Sequence, residues 1–354
     1  MLAALAAPTA HAAPVAARAE PDYAAVTPRP LVFPRDHGAH SAYRIEWWYL
    51  TGWLDAQPQP LGFQITFFRS RTPIDPANPS RFAAHQLLIA HAALADPARD
   101  TLLHEQRIAR AGFGVVADER DTDVRLDGWR FQRQADGRYD ATIAGGSFEL
   151  AFDATPTQPL LLQGEAGLSR KGPRAEQASH YYSQPQLAVR ARLVRDGRSA
   201  SLAGRAWLDH EWSSTVLDPE AAGWDWIGMN LDDGTALTAF QIRRKADAGA
   251  LHAYAALRAP GSPTVQLFAP DAVRFEPLAT WRSPRTGATY PVAQRIHVGS
   301  RRFDTQPLLP DQELDARATS GTVYWEGASR LLEDGKPVGR GYLELTGYVA
   351  PLTL

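Results

Sequence analysis

Four short strings bring carboxyl, imidazole, phenol and indole groups together at spacings that could do chemistry. They are Arg44-Ile45-Glu46-Trp47-Trp48-Tyr49, Ser179-His180-Tyr181-Tyr182-Ser183, Trp207-Leu208-Asp209-His210-Glu211-Trp212 and Gly223-Trp224-Asp225-Trp226. Successive side chains of an extended strand point to opposite faces. Trp207, Asp209 and Glu211 therefore share one face, Leu208, His210 and Trp212 the other, and Trp224 and Trp226 share a face that Asp225 does not. A carboxyl among large aromatics is costly to ionise, so burial moves its pKa toward that of a general acid. An acid still protonated near neutral pH, beside aromatic faces that favour a cation, is suited to general acid catalysis with a held water. The candidate catalytic residues are Asp209 or Asp225 as the acid, with His210 setting its protonation or holding the water. Candidate ligand contacts are Glu46, Trp47, Trp48, Tyr49, Tyr181, Tyr182, Glu211, Trp212, Trp224 and Trp226. The competing reading is a set of core Trp residues beside ordinary ion pairs, such as Arg44 with Glu46 or Arg205 with Asp209.

Other chemistries are excluded by inspection. No G-x-S-x-G elbow, phosphate-binding glycine loop, dinucleotide fingerprint or H-E-x-x-H helix occurs; His210-Glu211 continues Trp212-Ser213-Ser214, with no second His. Cysteine is absent, which removes disulfides, thiol nucleophiles, Cys-type zinc sites and lipid attachment to Cys. His37 and His40 could share a metal on a turn, but further ligands are needed, and the expectation is neither metal nor cofactor. Lys plus Arg number 37 against 39 Asp plus Glu, a net charge of -2 that offers no basic field to nucleic acid.

The elements that must position these groups are strands. Phe63, Ile65 and Phe67 alternate with polar residues, as do Leu187, Val189, Ala191 and Leu193, then Ile227, Met229 and Leu231, and Phe148, Leu150 and Phe152. Turn signals separate them at Asp127-Gly128, Asp136-Gly137, Asp196-Gly197, Asp233-Gly234 and Asp334-Gly335. Residues 83–95, bounded by Pro79 and Pro97, read as strand. Residues 47–65 align without gaps on 224–242, with Trp47 on Trp224, Leu54 on Leu231 and Phe63-Gln64-Ile65 on Phe240-Gln241-Ile242. This points to a duplicated all-β domain. The Pro- and Gly-rich stretch 155–186 is taken as the passage between halves, and the boundary falls near residue 195, giving domains at 30–195 and 196–354. A closed antiparallel barrel of about eight to ten strands leaves an interior for one small apolar ligand.

Residues 1–29 read as a secretory signal peptide followed by a disordered segment. Leu2 to Ala7 are small and apolar, and Ala10-His11-Ala12 is an A-x-A signal with cleavage after Ala12. The expected location is periplasmic or secreted. No apolar run reaches about 18 residues, so no membrane-spanning helix is expected.

The strings Phe33-Pro34-Arg35-Asp36-His37-Gly38-Ala39-His40, Glu46-Trp47-Trp48-Tyr49, Gly167-Leu168-Ser169-Arg170-Lys171-Gly172, Trp207 to Ser214 and Gly341 to Tyr348 resemble those of the AttH/CrtC-like family over about residues 30–350. The resemblance implies two tandem lipocalin-like β barrels, often exported, with a pocket within or between them. It carries the acid and imidazole of its Asp-His-x-Trp string onto Asp209, His210 and Trp212. A further Tyr/Asp pair expected after the second Trp string is absent from Leu237 to Phe240. The functions it implies are a cofactor-independent carotenoid 1,2-hydratase-like lyase, a periplasmic carrier of an apolar ligand serving an ABC exporter, or a secreted hydrolase.

Overall fold

The computed structural model describes residues 22–215 and 217–352. The signal-peptide and cleavage expectations lie outside them. The first sheet opens with β1 (Ile45–Leu54), β2 (Leu61–Arg71), β3 (Gln86–Asp96) and β4 (Thr101–Arg110). Shorter strands follow: β5 (Val116–Ala117), β6 (Asp123–Leu126), β7 (Trp129–Arg133), β8 (Tyr139–Ala144) and β9 (Glu149–Thr155). It ends with the stubs β10 (Leu161–Leu162) and β11 (Leu168–Arg170), then the long pair β12 (Ala178–Arg195) and β13 (Arg198–Thr215). The second sheet holds β14 (Ala221–Leu231), β15 (Ala236–Arg244), β16 (Ala250–Arg258), β17 (Gln266–Phe268) and β18 (Val273–Arg282). Its remaining strands are β19 (Thr289–Val298), β20 (Arg301–Pro307), β21 (Glu313–Ala316), β22 (Thr322–Glu333) and β23 (Lys336–Leu345).

The spatial orders are β4-β3-β2-β1-β13-β12-β9-β8-β7-β6-β5 and β17-β16-β15-β14-β23-β22-β20-β19-β18. The two halves thus share one plan. Each has a first hairpin at its centre whose leading strand, β1 or β14, pairs with the last strand of its sheet. Three of the Asp-Gly turns, at 127–128, 196–197 and 334–335, place both residues at positive φ, as a two-residue hairpin requires.

The boundary differs from the sequence expectation. Residue 195 lies at the tip of the β12–β13 hairpin, and both strands belong to the first sheet. The chain crosses between sheets after Thr215 and before Ala221. A strand interrupted only by a tight turn has no local signature of which sheet it will join. The stretch 155–186 does not carry the chain across; it straps the second sheet from outside. Gln158 donates to the Gly234 carbonyl at 2.7 Å, Arg258 to that of Leu160 at 2.9 Å, and the Gly164 amide to the Tyr254 hydroxyl at 2.7 Å. From residue 22 the N-terminal segment is pinned rather than loose: Ser214 Oγ donates to the Ala24 carbonyl at 2.6 Å, and Arg29 pairs with Asp36 at 2.8 Å.

The gapless repeat holds for β1 and β14 and slips in the next strand. Trp47 pairs with Phe68, 21 residues on, whereas Trp224 pairs with Ile242, 18 residues on. The second hairpin is three residues shorter, and an odd shift reverses the faces of a strand. Phe63 accordingly fills the first barrel, while Phe240 lies between the barrels; Leu237 takes the place of Phe63.

Each sheet curls round its own core, to give two lipocalin-like barrels in tandem. Trp48, Phe63, Phe131 and Leu208 pack in the first, and Met229, Phe303, Trp325 and Leu343 in the second. A third cluster, including Tyr49, Trp53, Trp207, Trp226 and Tyr342, joins the barrels face to face. The barrel interiors are thus occupied by side chains, and the room anticipated inside a barrel lies between the two. Strand approach at this junction needs Gly62, where an added Cβ would collide with the Ala328 methyl and come within 2.9 Å of the Tyr342 hydroxyl. Overpacking of this kind costs about 1–3 kcal/mol. Gly62→Ala is expected to lower Tm in thermal unfolding and Ala328→Gly in the same chain to recover part of the loss; an unchanged Tm for Gly62→Ala contradicts the close approach.

Candidate active site

A cavity of about 340 Å³ separates the barrels. Its walls follow from strand alternation. From the first sheet come Trp47, Tyr49, Phe68, Tyr181, Asp209 and Glu211; from the second, Trp224, Trp226, Phe240, Tyr324, Glu326 and Glu344. The cross-strand rows are regular, with Tyr49, Asp209 and Ser183 abreast on β1, β13 and β12, and Trp47, Glu211 and Tyr181 abreast beside them.

Asp209 is 3% exposed. Its Oδ2 lies 2.6 Å from the Tyr181 hydroxyl, and its Oδ1 accepts from Ser183 Oγ at 2.5 Å and from the Trp207 indole N–H at 2.6 Å. Trp226 Nε1 in turn donates to the Tyr181 oxygen at 3.1 Å. Burial pushes the Asp209 carboxyl up to about 7, against the pull of these three hydrogen bonds. Beside it, Lys171 Nζ stands 2.9 Å from Glu211 and lies 4.2 and 4.6 Å from the ring centres of Phe240 and Tyr181.

The second sheet supplies two more carboxyls. Glu326 and Glu344 are direct partners on β22 and β23, and Glu326 accepts from the Tyr49 hydroxyl at 2.6 Å. Burial, reinforced by Glu344, holds Glu326 well above the usual carboxylate range. Burial also raises Glu344 to about 7, with Asp209 and Glu211 adding to the effect and the Trp224 indole opposing it. Asp209 and Glu344 are equivalents in the two halves: Tyr49 pairs with Asp209 and Trp226 with Glu344, and Tyr49 and Trp226 occupy matching places on β1 and β14.

Of the residues singled out from sequence, Trp47, Tyr49, Tyr181, Asp209, Glu211, Trp224 and Trp226 converge on the cavity, and Glu46 touches its margin. Trp48, Tyr182, His210 and Trp212 do not; they point into the first barrel. His210 cannot set the protonation of Asp209, because neighbours on a strand face opposite ways. It belongs to a buried polar chain. His37 Nδ1 lies 2.7 Å from the Tyr182 hydroxyl, which lies 3.1 Å from His210 Nδ1, and His210 Nε2 lies 2.9 Å from Glu46. Arg69 donates to the other Glu46 oxygen at 2.7 Å, and His40 sits between Glu46 and Asp36 at 2.7 and 3.0 Å. Although burial opposes its charge, Arg69 and the imidazoles hold Glu46 well below the usual range. His40, Glu46 and His210 bring possible metal-ligand atoms within 4.8 Å of one another, but Arg69 sets a fixed positive charge against the shared carboxylate. His37 and His40, paired in the sequence reading, join different parts of this chain.

Asp225 also fails to reach the cavity. It is 1% exposed and held by Arg243 at 2.9 Å, Gln241 at 2.7 Å and Tyr348 at 2.9 Å, on the face of β14 opposite Trp224 and Trp226. It lines a separate depression at the end of the second barrel. Among the cavity residues that escaped the sequence reading are the ionisable groups of Lys171, Tyr324, Glu326 and Glu344. One signal was present, since the aromatic-Leu-acid triplet Trp207-Leu208-Asp209 returns as Tyr342-Leu343-Glu344.

The AttH-like family matches residues 24–348. No curated protein matches the chain. A crystal structure of a candidate AttH from Nitrosomonas europaea, at 2.00 Å resolution, is 55% identical and has a TM-score of 0.85 over 92% of this chain and 99% of that one. Kievitone hydratase from Nectria haematococca shares the fold, with a TM-score of 0.69 and 14% identity over 91% of this chain and 94% of that one. CghA with Sch210972 matches at a TM-score of 0.52 and 13% identity, over 87% and 89% of the two chains. With the family matched along almost all of its length and a relative alike at more than half of its positions, this chain belongs to the AttH-like family.

Proposed function

We propose that the cavity between the barrels binds an apolar, terpenoid-like small molecule and that the protein is a cofactor-independent hydro-lyase of the carotenoid 1,2-hydratase type. The observation that carries this reading is Asp209, a buried carboxyl raised to about 7 that opens on an aromatic cavity. Asp209 gives its proton to one alkene carbon, and the π pair becomes the new C–H bond. The other carbon becomes a tertiary cation, favoured by the electron-rich faces of Trp47, Trp224 and Trp226. Water bonds to that carbon through an oxygen lone pair, and the proton it sheds returns to the Asp209 carboxylate. Tyr181, Ser183 and Trp207 position the acid, and Tyr49 ties Glu326 of the opposite wall. The fold shared with kievitone hydratase supports a hydratase, and the A-x-A string at residues 10–12 supports export.

The purified protein is expected to place ¹⁸O from labelled water in a tertiary hydroxyl of an acyclic polyene such as lycopene. Asp209→Asn should lower kcat by about 10²–10⁴-fold, the usual worth of a general acid, with little change in KM. Undiminished turnover removes Asp209 from the mechanism, and retention of the polyene without turnover by the unaltered protein leaves a carrier.

The pH dependence has a fixed sign. The acid must hold its proton, so the rate should fall as pH rises through about 7. Stability follows the same group: a carboxyl whose folded pKa is raised favours the fold fully below its unfolded pKa, and that contribution is lost as pH rises through about 7. The amide that Asp209→Asn introduces does not titrate and carries no such loss. Relative to the variant, the unaltered protein should therefore lose Tm between pH 5 and pH 8; a constant difference across that window contradicts the raised pKa.

A further inference from the structure

The cavity has aromatic walls yet carries the carboxyl groups of Asp209, Glu211, Glu326 and Glu344, besides Glu46 at its margin. Among the described residues, Lys171 answers Glu211 and Arg69 is taken by Glu46, whereas no Lys, Arg or His forms an ion pair with Glu326 or Glu344. These two stand directly opposite each other on β22 and β23, the arrangement in which like charges destabilise an antiparallel pair. Glu326 is 1% exposed, and its hydrogen-bonded side-chain partner is the Tyr49 hydroxyl. A carboxylate buried without a cation is costly, and a ligand can supply the missing charge. Trp226 lies next to Glu344 in the strand register, and its ring and that of Tyr49 meet at a steep angle 5.3 Å apart, so indole and phenol rings border the same spot. Indole and phenol faces attract cations.

We propose that Glu326 and Glu344 form a subsite for a positively charged centre, a protonated or alkylated amine, on an otherwise apolar ligand. The inference rests on the cavity being the ligand site and not on the acid chemistry of Asp209. It carries a proton linkage. By itself the pair holds protons that a fixed cation displaces, so binding releases a proton and affinity rises with pH. The titratable groups facing the pair are the phenols of Tyr49, Tyr324 and Tyr342, all held by burial well above their usual range, with Asp209, Glu211 and Lys171 across the cavity. Asp209 titrates in the same range as Glu344, so the share of the pair is isolated by substitution.

Benzyltrimethylammonium, which cannot itself titrate, and its neutral isostere neopentylbenzene are suitable probes for isothermal titration calorimetry on the full chain. At pH 8 the cation should bind about tenfold more tightly or better. The preference should shrink at pH 5, and buffers of different ionisation enthalpy should reveal proton release. Glu326→Gln with Glu344→Gln should bring the ratio to about one and keep the neutral probe bound. Glu344→Gln alone, at the more exposed member, serves if the double variant does not fold. Equal binding of the two probes, or a preference untouched by the Gln variants, overturns the subsite and leaves the apolar-ligand reading standing. Failure of both probes to bind overturns both.

Discussion

A carboxyl group closed between two packed sheets must hold a proton, gain a cation or unfold its surroundings, because removal from water penalises only its charged form. That penalty organises this molecule. It keeps Asp209 near 7 in the face of three hydrogen-bond donors, and it raises Glu326 and Glu344 where they face each other without a counter-ion. In the first barrel the opposite outcome is reached with equal burial: Arg69, His40 and His210 surround Glu46 and hold its charge in place. On the adjacent strands β1 and β13, the charged set around Glu46 thus lies on one face and the raised carboxyl set that includes Asp209 on the other.

The separation of these sets is the two-residue period of β1 and β13 at work. Tyr49 and Asp209 look across to the second barrel, while Trp48 and His210 stack against each other inside the first, at 4.6 Å between ring centres. Each strand serves a closed core on one side and the cavity between the barrels on the other. The duplication then provides a second wall of the same design, with Glu344 standing where Asp209 stands in the first half.

The all-β class, the hairpin turns and the doubled architecture were legible in the sequence, since they rest on alternation and local turn chemistry. So was the face shared by Trp207, Asp209 and Glu211. What was not legible depends on pairing between distant strands. The donors from β12 to Asp209 lie 26 and 28 residues away, beyond a bulge between Gln184 and Leu187. His210 was misread because it adjoins Asp209 in the chain, and Asp225 because an acid between two Trp residues looks alike whichever face is buried. The gapless repeat misplaced β15 because loop length, invisible to an ungapped match, sets hairpin register. Glu326 and Glu344 sit in strings without a His or a paired Trp, so chemistry-bearing composition did not draw attention to them.

Titration of the Asp209 carboxyl in the folded protein tests the account most directly. With ¹³C-labelled aspartate, the signal missing from Asp209→Asn identifies the residue in the unaltered spectrum. A midpoint near 7 is expected. A midpoint at or below the ordinary aspartate value of about 4 would mean that the carboxyl is ionised at neutral pH and has no proton to give.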